Sequence, residues 1–457
     1  MRSPRRLLGA LAEDVLSRAD AQAIIERAVR LSQADEIQVN VGGGTQTNVR
    51  FADNRMSTAG SVSNVTLTIQ SSYGKRSAAV QVNDASDAAL ERAVRQSEAL
   101  ARLAPENPEA MPPLGAQQYA EVPAWFEGTA NLSAAERAAA ARVAIEAARE
   151  SGDLQAAGFI QVAASATALG NKRGLFAYHR GTSANYTLTV RTADGTGSGW
   201  AGADHPDWSR IDPARVAETA IQKARLSRNP SAVEPGRYTV ILEPQAVGDL
   251  VQLLGFALDA RSADEGRSAF SKAGGGNKIG EKIVDERVTI VSDPRDPDLL
   301  AQPFDGQGLP LGRQVWIENG VLKNLAYSRF WAQRRTVQPT GFPSSMKMVG
   351  GSSDLDQMVA STPRGILVTR LWYLRQVDPR TILFTGLTRD GTFLIENGKL
   401  SRSIRNLRFN ESPLFLLNNV ELIGRAQRLA GTEAGGNVVL PALKVRDFNF
   451  TSLSEAV

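Results

Sequence analysis

Apolar residues recur along this chain with two periods, and the switches between them mark its elements. From Asp20 to Leu31 they return with the spacing of one helix face, and directly afterwards Ile37, Val39 and Val41 alternate as in a half-buried strand. Gly42-Gly43-Gly44 then predicts a turn. Asn64 to Ile69 alternates β-branched and polar residues, Tyr73-Gly74-Lys75 predicts a turn, and Ser77 to Val82 reads as the returning strand. Helical spacing resumes from Ser86 to Leu103. Ala104 to Pro123 holds five prolines and no period, which predicts a surface connection. After an Ala-rich helix from Ser133 to Ser151, Asn185 to Val190 and the Asp194-Gly195 turn repeat the pattern of Asn64 to Ile69 and Gly74. This likeness predicts two helix-plus-meander units paired in one layer, with Pro213 to Arg228 as the last helix; the competing reading is a chance match of two strand patterns.

Asn229-Pro230 and Glu234-Pro235-Gly236 mark a boundary, because a residue before proline is pushed out of the helical region. Beyond it Tyr238 to Leu242 reads as a strand, Gln245 to Asp259 as a helix, and most of the remainder as short strands between Gly, Asn and Asp turns. The expected fold class is α+β: an N-terminal layered helix and β-meander domain over residues 1–233 with an internal repeat, then a β-rich C-terminal domain over residues 234–457. A length of 457 residues agrees, since single cores stop growing near roughly 250.

Composition removes several function classes. The 52 basic and 48 acidic residues leave a net charge of only +4, which supplies no field for nucleic acid or an anionic membrane. Leu7 to Ala12 is cut off by Glu13-Asp14, too short for a secretory core, and no apolar run approaches a membrane span. There is no cysteine, and a cytoplasmic location is expected. The glycine clusters at Gly42, Gly195 and Gly274 lack phosphate-loop spacing and read as turns. Asp293-Pro294-Arg295-Asp296-Pro297-Asp298 could offer oxygens to a hard cation, but without an EF-hand glycine or closing Glu it reads as a turn after a strand from Val288 to Val291. His179 and His205 are the only histidines, and neither has a His or Cys at ligand spacing.

Val240-Ile241-Leu242-Glu243-Pro244, Leu250 to Asp259 and Gly266-Arg267-Ser268-Ala269-Phe270-Ser271 together resemble the TldD/PmbA (TldD/TldE) metallopeptidase family. Phe304 to Pro310, Glu318 to Asn324, Thr340-Gly341, Gly391 to Lys399 and Pro441 to Val445 keep that family's order. Arg50 to Asn54 fits more weakly. In active members of the family the segment resembling Leu250 to Asp259 carries H-E-x-x-x-H, whose imidazoles bind zinc and whose Glu activates water. Val251, Gln252 and Phe256 stand at those positions here, and the family's cysteine ligand falls near Ala430-Gly431-Thr432 in a chain with no cysteine. Gln252 has nearly the size of Glu but takes up no proton at neutral pH. With Val247, Leu250 and Leu254, Phe256 reads as part of an ordinary buried helix.

The resemblance implies proteolysis as the family's activity, with no catalytic residue and no metal or other cofactor in this chain. It implies a dimer with a TldD-type zinc peptidase subunit, zinc sitting in that partner, and an unfolded peptide as substrate in a shared chamber. Neither nucleic acid nor membrane is an expected partner. Thr388-Arg389-Asp390-Gly391 is the candidate peptide contact, against a plain hairpin turn suggested by its Asp-Gly pair. Two other classes stay open: a peptidase using an unrecognised carboxylate site, and a regulatory binding protein of the gyrase-modulator kind.

Overall fold

The computed structural model describes residues 15–431, 433 and 435–454; the opening run Met1 to Asp14 and Thr432, both read above, lie outside these. Helix α1 (Arg18–Leu31) begins where the Ser17 hydroxyl accepts the Asp20 N–H, satisfying one of the donors a helix start leaves open. Strands β1 (Glu36–Ala52), β2 (Arg55–Tyr73) and β3 (Arg76–Val82) follow as a meander, then α2 (Asp87–Leu103), capped by Ser86. The same order returns in α3 (Ala134–Glu150), β4 (Leu154–Asn171), β5 (Phe176–Thr192), β6 (Ser198–His205) and α4 (Pro213–Leu226). Ser133 and Glu136 close a capping box on α3, and Asp212 caps α4.

The six strands form one sheet in the order β3-β2-β1-β4-β5-β6, so the two meanders join through antiparallel β1 and β4. Asn64 to Ile69 and Asn185 to Val190 lie in β2 and β5, the middle strands of the two meanders. The repeat read from the sequence therefore has a structural counterpart. Ile37, Val39 and Val41 bury one side of β1 against α1 and α2, while Val49 joins the core under α3. Each such aliphatic side chain contributes about 1.5–3 kcal/mol on leaving water.

Gly42-Gly43-Gly44 is not a turn, as the sequence suggested, but lies inside β1. A Cβ on Gly44 would sit 2.3 Å from the Ala164 carbonyl oxygen of β4, so the glycine permits a close strand approach instead of a chain reversal.

The second half contributes β7 (Gly236–Leu242), β8 (Ile290–Ser292), β9 (Gln314–Glu318), β10 (Val321–Leu322), β11 (Met346–Met348), β12 (Arg364–Asp378), β13 (Leu383–Glu396), β14 (Lys399–Ser403), β15 (Leu407–Glu411), β16 (Val420–Arg428) and β17 (Val438–Leu453). Five of these close on themselves in the order β7-β12-β13-β15-β17, because β17 also pairs with β7. Helix α5 (Pro244–Val251) packs on β12 and β17 and is buried at every residue, as an apolar helix between strands must be.

The single helix expected from Gln245 to Asp259 is broken. Beyond Val251 the bonding tightens to Leu253 N–H with Leu250 O and Gly255 N–H with Gln252 O, and a separate turn, α6 (Leu254–Ala257), follows. Val247, Leu250 and Leu254 are buried as expected, but Phe256 is 82% exposed because the break swings it away from their face. At Asp293 to Asp298 a turn does follow a strand, which is Ile290–Ser292; the Lys347 ammonium lies 2.8 Å from Asp296 and 2.7 Å from Asp298, occupying the place of a cation.

The two halves meet through polar anchors. Arg428 on β16 reaches Asp204 on β6 at 2.9 Å, and the Ser198 hydroxyl donates to Asp390 at 2.6 Å. The proline-bearing connection from Ala104 to Pro123 is irregular, as expected, and its Tyr119 hydroxyl donates to the Gly308 carbonyl at 2.8 Å. No helix among the described residues is long and apolar enough to cross a membrane.

Candidate functional site

Helix α5 delivers the residues that the family likeness singles out. Pro244 sets its first turn, and Glu243 just before it pairs with Lys223 of α4 at 2.6 Å, tying the helix start to the first half. Val251, at the end, is wholly buried. Gln252 leaves the core where the helix loosens, and its amide nitrogen donates to the backbone carbonyl of Glu433. The structure thus places Gln252 beside Glu433, close in sequence to Ala430-Gly431, where the resemblance puts the family's cysteine.

Phe256 is a ridge between two clefts. On one side, about 310 Å³ is lined by Gln252, Gly255, Phe342, Ser345 and Met346; on the other, about 670 Å³ runs past Leu253, Arg267, Arg380 and Phe384. The Ser345 hydroxyl is buried without a hydrogen-bond partner.

These residues do not fit zinc. Val251 and Phe256 carry no donor atom, and the Gln252 amide nitrogen is spent on Glu433 and has no lone pair to give a metal. Among the described residues no three His, Cys, Asp or Glu side chains gather as a metal-binding group. His179 and His205 lie in β5 and β6, in the other sheet; burial pushes both imidazoles below their usual range, and His205 Nδ1 accepts the Asp207 N–H at 2.9 Å.

A buried carboxyl next to this position escaped the sequence reading. Asp249 Oδ1 accepts from Gln245 Nε2 and Oδ2 accepts the Leu371 N–H, both at 3.0 Å. Burial pushes the carboxyl up to about 7, against the pull of nearby Arg370. Arg370 lies over the rings of Trp200 and Trp372 and 3.5 Å from Asp390. The available signal was one acidic residue inside the apolar run Val247 to Leu254.

Thr388-Arg389-Asp390-Gly391 is neither a hairpin turn nor an open strand edge. It lies within β13, where Asp390 (φ 53°) and Gly391 (φ 122°) form a bulge opposite the register shift between Val368 and Arg370 of β12. Thr388 is buried and its hydroxyl accepts the Leu407 N–H at 3.0 Å. Arg389 stacks over Trp372. Asp390 and Gly391 border a cleft of about 400 Å³ at the joint of the two sheets, lined also by Ser198, Ser227 and Arg405.

Three family models match consecutive stretches: PmbA/TldA metallopeptidase domain 1 over residues 39–101, the central domain over 127–228 and the C-terminal domain over 235–452. The chain belongs to the PmbA/TldD metallopeptidase family. A metalloprotease of Methanothermobacter thermautotrophicus is 27% identical over 233 residues, 47% of this chain and 48% of that protein. The chain spans about half the length of the curated relatives it matches. The crystal structure of TldE from Thermococcus kodakarensis superposes with a TM-score of 0.83 at 19% identity, covering 94% of this chain and 99% of that one. A structure from Thermotoga maritima described as a putative modulator of a DNA gyrase gives 0.83 at 17%, covering 94% and 100%. At such identities the likeness is one of PmbA/TldD fold.

Several PmbA/TldD-like segments prove to be joints and turns. In Phe304 to Pro310, Asp305 Oδ1 accepts the N–H groups of Gln307 and Leu309, and the resulting loop receives Tyr119 and Gln38 from the first half. Asn319-Gly320 and Asn397-Gly398 both take positive φ, the requirement of the two-residue turns that join β9 to β10 and β13 to β14.

Proposed function

We propose that this chain is the non-catalytic subunit, of the PmbA/TldE kind, of a complex whose TldD-type subunit carries zinc and degrades or matures unfolded peptides. The observation that carries this reading is the chemistry at the family's metal helix: Val251 is packed in the core, Gln252 pins the loop at Glu433, and Phe256 projects as an apolar ridge. A glutamine cannot take a proton from water as the family's glutamate does, and the apolar flanking positions give a metal nothing to bind. What the positions retain is shape, with clefts on either side of Phe256 against which apolar peptide side chains can pack. Of the four residues expected to contact peptide, Asp390 and Gly391 are the two on an open cleft and belong to this proposal. A cytoplasmic location, in keeping with the lack of cysteine, is also part of it.

The test is metal analysis of the purified chain beside a peptide-hydrolysis assay, with and without a co-expressed zinc-motif family member. The expected result is a chain without stoichiometric zinc or hydrolysis alone, which co-purifies with an active zinc subunit. Stoichiometric metal and chelator-sensitive hydrolysis by the isolated chain would overturn it.

A further inference from the structure

The two edges of the six-stranded sheet are treated differently. Strand β3 pairs with β2 only along Leu67–Tyr73, so the outer side of β2 from Arg55 to Thr66 has no strand partner among the described residues. At about 3.3 Å per residue this bare edge is roughly 40 Å long. Residues Arg55 to Asn64 are exposed on both faces, with Val62 at 62% and Met56 at 43%. The ladder to β1 runs without a register shift from Thr58 to Ser72, and no charged residue or proline occurs from Met56 to Gly74.

Edge strands left in solvent are normally blunted by charge, proline, bulges or a covering segment, because unpaired N–H and C=O groups template another strand. The second unit shows such a cover in place. Along β5, pairing with β6 runs from Ala184 to Arg191; beyond it, the Thr182 N–H donates to the Ala124 carbonyl at 2.9 Å and the Thr182 hydroxyl accepts the Phe126 N–H at 3.2 Å. Arg180 stacks on Trp125 of the same extended segment. The corresponding stretch of β2 receives no such cover from the described residues, which leaves its backbone groups available to an extended strand from another chain.

We propose that Arg55–Thr66 is the docking edge for the matching strand of the zinc-bearing family subunit, which adds to it antiparallel and joins the two six-stranded sheets into one. The inference rests on the two-subunit reading above and names its surface. Two chains of one fold related by a two-fold axis bring the same edge against itself, which makes the pairing antiparallel. From Met56 to Thr66 the edge carries no charge and so sets none against an incoming strand. The register shift at Ser57 puts Met56 and Val62 on opposite faces of β2, so each face offers one exposed apolar side chain beside the backbone bonds.

The test uses full-length chain co-expressed with a zinc-motif family member, with complex size read by light scattering after gel filtration. Thr58→Lys/Val62→Lys charges one face of the edge; Ala59→Glu/Ser61→Glu charges the other and guards against an effect of one face alone. Circular dichroism and thermal midpoint report whether each variant folds. The expected result is a 1:1 wild-type complex and association weakened about tenfold or more by both variants, with folding retained. Because the chain has no cysteine, Val62→Cys should also crosslink uniquely to a cysteine placed on the partner's matching strand. Folded variants that keep the full 1:1 complex would overturn the edge assignment while leaving the subunit reading intact. Failure of the wild type to bind any zinc subunit overturns both, and self-association through this edge in place of the heterodimer overturns the assigned occupant.

Discussion

The two meanders of the six-stranded sheet share element order and lie in a common ladder, yet one presents a covered edge and the other a bare one. Strand β6 closes the second meander with α4 above it, Arg428 and Asp390 reaching in from the other half, and Pro123 to Phe126 along β5. Strand β3 stops short, and the outer half of β2 has no strand partner among the described residues. The difference teaches that a repeated unit does not repeat its environment: one copy is built into the chain's own joint, and the other keeps an edge that no described residue covers.

The largest effect should come from stripping the covered edge of its anchor. Arg428→Met leaves Asp204 buried without its ion partner, and urea unfolding should show a loss of about 3–5 kcal/mol. Next is the seam between the units. Gly44→Ala drives a methyl into the Ala164 backbone and should cost about 2–3 kcal/mol, whereas Gly43→Ala, whose nearest neighbour is the Val65 side chain at 3.1 Å, should cost less.

A pH titration separates the two sheets more gently. Burial raises the carboxyls of Asp249 and Glu411, both in the second half, to about 7. A carboxyl with a raised folded pKa holds more protons in the folded state, so its stabilising contribution is present below about 4 and is lost as pH rises towards 7. Asp249→Asn should flatten that fall by roughly 1–3 kcal/mol, seen in denaturation midpoints compared at pH 4.5 and 7.5. The smallest effect belongs to the bare edge: Val62→Lys should change stability of the isolated chain by no more than about 0.5 kcal/mol, since the Val62 side chain is largely exposed. A larger loss would mean that the edge is covered within the chain itself.

Much of the fold was legible from local pattern. Helix starts were marked by Ser86 and Ser133, whose hydroxyls accept backbone N–H groups, while the first helix, read from Asp20, begins earlier behind Ser17; the strands Asn64 to Ile69 and Asn185 to Val190 carried their period openly. Readings failed where one local signal fits two environments. A glycine run serves a turn or a tight strand approach, and only the neighbour at Ala164 distinguishes them. Asp390-Gly391 suits a hairpin or a bulge, and β12 opposite decides which. Phe256 fits the buried helix pattern until the loosened bonds after Val251 turn it outwards.

The chain by itself determined its family likeness, its repeated α-βββ-α order and the missing donors at Val251, Gln252 and Phe256, because residue identity and local period depend on neighbours in sequence alone. Tertiary structure decided that Gln252 meets Glu433, that Asp249 is sealed beside Arg370, and that no described strand pairs with the outer half of β2. Those facts depend on which distant segments come together and which do not, and no local period carries that information.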